Sequence, residues 1–226
     1  MPVKEISLLC HQNGVTVVVD GAHAPGNLHK WMFTPRGCAL LWVSPALRPL
    51  VKPCVISHFH GVSLHFDHCI RGTRDDTPYH CVGEALDFIE GTLGGLGEIQ
   101  TFVAALLDKS MDNLLQSWNT TTLQMDSDLQ APFMRLIKIP DPKGASYIEA
   151  YLYLEHRIRI LCMFVEGDLF LRLSASVYTD ESDFEALNQA VLTMMQLSEV
   201  PEYDPGYDLP IMHWDLRPLV IPYPEH

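Results

Sequence analysis

The sequence predicts an α/β chain: a stretch of α/β structure to about residue 70, then a long helix pair, then an α+β unit. Three observations predict it. Residues 15–19 (VTVVV) are a β-branched run of strand type. Residues 77–118 hold two segments with apolar side chains at helical spacing, parted by Gly94-Gly95. Residues 134–177 hold three short strand-like runs, two of them joined by Glu166-Gly167.

The elements follow in order. Residues 15–19 end at Asp20 and read as a fully buried strand. A turn-rich loop and the breaker Pro35-Arg36-Gly37 lead to a second buried strand over 38–43, and 44–74 read as irregular, with Pro45, Pro49 and Pro53. The first helix is expected over 77–93, with Tyr79, Val82, Leu86, Ile89 and Leu93 on one stripe. Asp75 and Asp76 suit its positive N-terminal end, and Gly94-Gly95 stops it. The second helix covers 97–118, its buried side formed by Ile99, Phe102, Val103, Leu106, Leu114 and Trp118. Strands are expected over 134–139, 159–165 and 169–177, with a hairpin turn at Glu166-Gly167 and a short helix over 147–155. The third helix covers 181–196, capped near Asp180, with Phe184, Leu187, Val191 and Met194 facing the core. From Pro201 onward, prolines and aromatics suggest an extended tail. The expected domains are 1–93, 94–200 and a tail over 201–226.

Composition narrows the functional classes. Hydrophobic residues make up 47% and charged residues 19% of the 226, enough to bury a core. Fifteen Lys+Arg against 28 Asp+Glu give a net charge of −13, and no basic stripe offers nucleic acid a footing. No window approaches the roughly 20 apolar residues of a membrane span, and the start, MPVKEISLLCHQNG, lacks a signal-peptide run. Six cysteines without any CxxC spacing read as reduced thiols packed as small hydrophobes, which points to the cytoplasm. Cys54, His58, His60, His65, His68 and Cys69 are too loosely spaced for a zinc site, and no metal is expected.

The segments that carry chemistry are VDGAHAPG (19–26), NLHKW (27–31), PRGCALLWV (35–43), SH (57–58), RGTRD (71–75) and LFLRLSASVY (169–178). In this order they resemble the pyridoxal-phosphate enzymes of the class V aminotransferase family, in the branch of isopenicillin N epimerase and cysteine desulfhydrase-type enzymes. The resemblance covers about 15–197. It implies a partial large-domain remnant of that transferase fold followed by a C-terminal α+β small domain. It also implies a pyridoxal 5'-phosphate cofactor, an amino-acid substrate and either a homodimer or pairing with a full-length relative.

The resemblance assigns roles residue by residue. Asp20 is the carboxylate that keeps the pyridine nitrogen protonated, since an opposite charge favours the charged form. His23 lies against the cofactor ring or its phenolic oxygen. Lys30 forms the Schiff base and shuttles the proton at the substrate α-carbon. Asn27 and His29 help hold the phosphate, and Thr73 touches it across a dimer interface. Arg172 binds the substrate carboxylate, a task suited to a bidentate guanidinium. The strand alternation agrees: Leu169, Leu171, Leu173 and Ala175 share one face, and Phe170, Arg172, Ser174 and Ser176 the other.

The chain departs from the family pattern in two places. Family members have a helix and a strand between the aspartate and the lysine, whereas here nine residues separate Asp20 from Lys30. A parallel crossover needs about a dozen or more. The family's glycine-rich phosphate loop and ring-stacking aromatic, which precede the aspartate strand, have no counterpart. The expectation is therefore a C-terminal half with an internal deletion. It acts as a carbon–sulfur lyase or an aminotransferase/epimerase through Lys30, or else serves as a truncated non-catalytic chain that binds a full-length partner.

Overall fold

In a computed structural model of the chain, residues 2–23, 27–69, 72–126, 129–140 and 144–197 are described. The expected tail over 201–226 lies outside them. The chain mixes helix and sheet and divides into two compact units, Met1–Phe102 and Val103–His226.

The first unit is helical and irregular, and no strand forms among its described residues. It opens with a helix the sequence reading did not anticipate, α1 (Val3–Gln12). Gly14, at φ 71°, ends it. There the Val15 N–H reaches the Cys10 carbonyl at 2.9 Å and the Gly14 N–H reaches that of His11 at 3.1 Å, closing a Schellman-type end.

The two strands expected in this unit are corrected. Residues 15–20 and 38–43 are irregular. Val18 is 91% exposed and Trp42 74% exposed, and Val15, Val19, Leu40 and Leu41 are exposed as well. Only Cys38 is fully buried. Strand preference is a preference for a ladder partner and a covering layer. Neither run pairs with another segment among the described residues.

Further along come α2 (Leu28–Trp31), a 3₁₀ turn (Pro45–Leu47) and α3 (Leu64–Cys69). The expected single helix over 77–93 is two, α4 (Thr77–His80) and α5 (Val82–Gly91), because Cys81 at ψ −3° interrupts the turn. Asp75 accepts the Thr77 N–H at 2.9 Å, so an acid does meet the N-terminal end. Ile89 is buried as the stripe requires, but Tyr79 and Leu86 are exposed.

Most elements of the second unit follow the expectation. Helix α6 (Leu96–Trp118) begins in the first unit and runs into the second. Val103, Leu106, Leu114 and Trp118 are buried in it, whereas Phe102 is half exposed. The sheet has the order β1 (Met134–Lys138), β3 (Asp168–Ser174), β2 (Leu161–Val165), all antiparallel. Val165 pairs with Asp168, which leaves Glu166 and Gly167 as a two-residue turn. Both have positive φ, 52° and 89°, as a type I′ turn demands.

Helix α7 (Ala145–His156) supplies Glu149, whose carboxylate accepts the Cys162 N–H at 2.6 Å. Helix α8 (Glu181–Met195) buries Phe184, Leu187, Val191 and Met194. It is joined to α6 by Asn188, which accepts from the Trp118 indole at 2.9 Å and the Ser117 hydroxyl at 2.8 Å.

Candidate functional site

Chain geometry between Asp20 and Trp31 starts with a turn. The Asp20 carboxylate accepts the Ala22 N–H at 2.9 Å, the local bond that favours Asp at turn starts. The Ala22 carbonyl accepts the Trp31 indole N–H at 3.2 Å, which closes the loop. Asp20 and Lys30 are thereby held near the two ends of one short closed segment.

Helix α2 places the polar groups on this segment. Asn27 precedes it, and its Oδ1 is buried without a hydrogen-bond partner among the described residues. His29 is anchored twice to Cys38, whose carbonyl accepts its backbone N–H at 3.2 Å and lies 3.0 Å from Nδ1. A carbonyl only accepts, so Nδ1 is the protonated nitrogen and Nε2 is left as the acceptor. Lys30 and His23 are exposed, as is Asp20.

Two expected residues belong to other segments of the chain. Thr73 is exposed, beside Gly72 at φ 103°. Arg172 lies in the second unit, on the central strand β3, opposite Leu136 of β1 and Leu161 of β2. Leu171, Leu173 and Ala175 are buried and Ser174 exposed, so the expected alternation holds. Phe170, on the Arg172 face, is buried too. The Nε of Arg172 is buried with no hydrogen-bond partner among the described residues, so the guanidinium retains bonding capacity.

In the His-rich stretch, the Cys69 thiol lies 3.5 Å from His65 Nδ1, and His60 Nδ1 lies 3.6 Å from the buried Asp67 carboxylate. No group of three metal-ligating side chains assembles among the described residues.

The cofactor implied by the resemblance can be tested against this donor set. The Lys30 amine and the Asp20 carboxylate, on one closed loop, fit the aldehyde and the pyridine nitrogen of pyridoxal phosphate in kind. The Asn27 Oδ1 and the His29 Nε2 are acceptors and do not suit its phosphate, for which the Asn27 amide NH2 is the donor at hand.

Sequence reasoning did not single out Arg48 or Lys52, and it placed Tyr79 on the apolar stripe of a helix. Together with Arg74 they line an open depression of about 1070 Å³ in the first unit. None of Asp20, His23, Asn27, His29, Lys30 or Thr73 lines it. The only advance signal was Arg74, inside RGTRD; folding alone gathers the others.

Comparison with known proteins bears out the resemblance. The chain is 25% identical over 212 residues to hercynylcysteine sulfoxide lyase of Schizosaccharomyces pombe, covering 81% of this chain and 52% of that protein. It is 26% identical over 224 residues to isopenicillin N epimerase of Streptomyces clavuligerus, covering 84% and 56%. It is 27% identical over 239 residues to putative L-cysteine desulfhydrase 1 of Oryza sativa subsp. japonica, covering 84% and 48%. The chain thus spans about half the length of these relatives. Among solved structures, an alanine–glyoxylate aminotransferase from Nostoc sp. matches 58% of this chain and 35% of that one, with TM-score 0.47 and 16% identity. No family profile matches the chain.

Proposed function

We propose that this chain provides the lysine segment and small domain of a pyridoxal-phosphate enzyme that acts on an amino acid, as a carbon–sulfur lyase or an aminotransferase/epimerase. The observation that supports it is the closed loop in which the Trp31–Ala22 bond keeps Asp20 and Lys30 on one short segment. When bound, the cofactor supplies an electron sink for the substrate α-carbon.

The chain's own residues take the remaining tasks. Lys30 holds the cofactor through Nζ and moves the proton at the substrate α-carbon. Asp20 keeps a proton on the pyridine nitrogen by its charge. His23 lies against the ring or its phenolic oxygen. Asn27 holds the phosphate through its amide NH2, and His29 through Nε2 only as a donor, once protonated there with its bonds to Cys38 kept. Thr73 reaches the phosphate from a second copy or a full-length relative. Arg172 takes the substrate carboxylate, its Nε having no partner among the described residues. In this reading 1–93 is the large-domain remnant and 94–200 the small domain, and the protein works in the cytoplasm. The described cysteines are all unpaired, as a reducing compartment requires. No described helix is long and apolar enough to cross a membrane.

The test is an absorbance scan of the purified chain with added pyridoxal phosphate. A new band at the edge of the visible, lost in Lys30→Ala, is expected. Identical spectra for the two proteins overturn the reading.

A second reading is a non-catalytic chain that binds a full-length partner. Lys30 and Asp20 are exposed to water, and the apolar runs 15–19 and 40–42 lie largely uncovered. It predicts sulfide or pyruvate release from cysteine far below the roughly 10 s⁻¹ typical of enzymes. Turnover near that value by the chain alone, abolished by Lys30→Ala, excludes it.

A further inference from the structure

We infer that the open depression in the first unit is a second binding site, for a small anion on an apolar body: a phosphate monoester or a carboxylate. The chain as a whole is acidic, at −13, yet Arg48, Lys52 and Arg74 all line this one depression. His65, His68 and His80 line it with them. Two carboxylates share the lining, Asp67 and Asp76, and both are engaged. Asp67 is buried, accepts the Gly61 N–H at 2.7 Å and lies 3.6 Å from His60. Asp76 binds Arg74 Nε at 2.5 Å. Arg48 and Lys52 form no ion pair among the described residues. Three cations face two carboxylates in the lining, a surplus of one positive charge, and Arg48 and Lys52 remain open to an anion.

The site is also partly preset. Arg74 is held by Asp76, by the Cys69 carbonyl at 2.8 Å and by the Tyr79 ring, 5.2 Å from its guanidinium carbon. Tyr79 is itself tied through its hydroxyl to the Gly37 carbonyl at 3.3 Å. A guanidinium fixed on several sides loses little freedom when an anion arrives, and a charge-assisted hydrogen bond is among the stronger polar contacts. Arg48 is likewise oriented, its Nε donating to the Val43 carbonyl at 3.2 Å. Leu40, Leu41 and Trp42 form an exposed apolar wall. At about 1070 Å³ the space exceeds what a bare inorganic anion fills. The wall suits a hydrocarbon or ring attached to the anionic group.

The test is calorimetric titration of the whole chain at low ionic strength, where exposed charges are least screened. The probes are phenyl phosphate, phenylsuccinate and inorganic phosphate. Saturable binding near about 1 mM is expected for at least one aromatic probe, and tighter than for inorganic phosphate. The better of the two aromatic probes identifies the anionic group. Lys52 makes no ion pair among the described residues and is exposed, so Lys52→Glu leaves the fold intact; it should weaken binding about tenfold or more. Lys30→Ala should bind the probe unchanged, which separates this site from the cofactor loop. Absence of saturation up to roughly 20 mM, equal heats with sodium chloride, or an unaltered affinity in Lys52→Glu overturns the inference.

Discussion

Cys162 shows how a neighbour decides what a residue type can do. Burial pushes its thiol up to about 12, and the charge and hydrogen bond of Glu149 push the same way. At pH 8 the thiolate is then of order one in 10⁴, and the thiolate is the reactive form. With a disulfide reagent at pH 8, Cys54 and Cys69, both exposed, should react within minutes. Cys162 and the buried Cys38 should wait for unfolding. Labelling of Cys162 as fast as Cys54 would refute this. Cysteines read from sequence as small packed hydrophobes are so only in part, because burial belongs to the fold and not to the residue. The same holds at the candidate site. The types at Asp20, Asn27, His29 and Lys30 were legible from their motif, and so was the face of Arg172. The turn that engages Asp20 with Ala22 and the double anchoring of His29 on Cys38 were not. They depend on how the chain settles when the strand expected at 15–19 has no partner.

Helices were legible where cap and stripe coincide. At α8 the Asp180 carboxylate accepts the Ser182 N–H at 2.8 Å and the Asp183 carboxylate accepts the Asp180 N–H at 3.0 Å, a reciprocal capping box. Hydrogen bonds from the Ser182 side chain and backbone lower the Asp180 pKa. A folded-state pKa below the unfolded value means the contribution is complete above about pH 4. It fades as pH falls through the folded value. Asp180→Ala should lower the melting temperature by about 5 °C at pH 7, and by much less at pH 2. An equal loss at both would show that the carboxylate charge is irrelevant. In the sheet, Leu171 is fully buried on the central strand, and Leu171→Ala should cost about 2–5 kcal/mol in denaturant unfolding. The misses share one cause. The runs at 15–19 and 38–43 look like strands because β-branched and aromatic residues fit sheets, but a strand is a pairwise object. Helix α1 carries Val3, Ile6 and Cys10 at helical spacing, with Asn13-Gly14 as its stop signal, yet it buries none of them.

For the whole molecule the two units differ in how well each covers its own apolar surface. The second unit buries Leu114, Trp118, Ile137, Ile148, Leu152 and Leu171. Expressed as residues 96–197, it should unfold in one cooperative transition, with coincident fluorescence and circular dichroism curves. Non-coincident curves would show that it depends on the rest of the chain. The two-residue turn at Glu166-Gly167 also bears on the order in which this unit assembles. Strands β2 and β3 are neighbours along the chain and meet at almost no loop-closure cost, whereas Lys138 must find Phe170 across a long intervening segment. The hairpin is therefore expected to form first, with β1 joining afterwards. Gly167→Ala, which strains a backbone at φ 89°, should chiefly slow refolding, while Ile137→Ala in β1 should chiefly hasten unfolding.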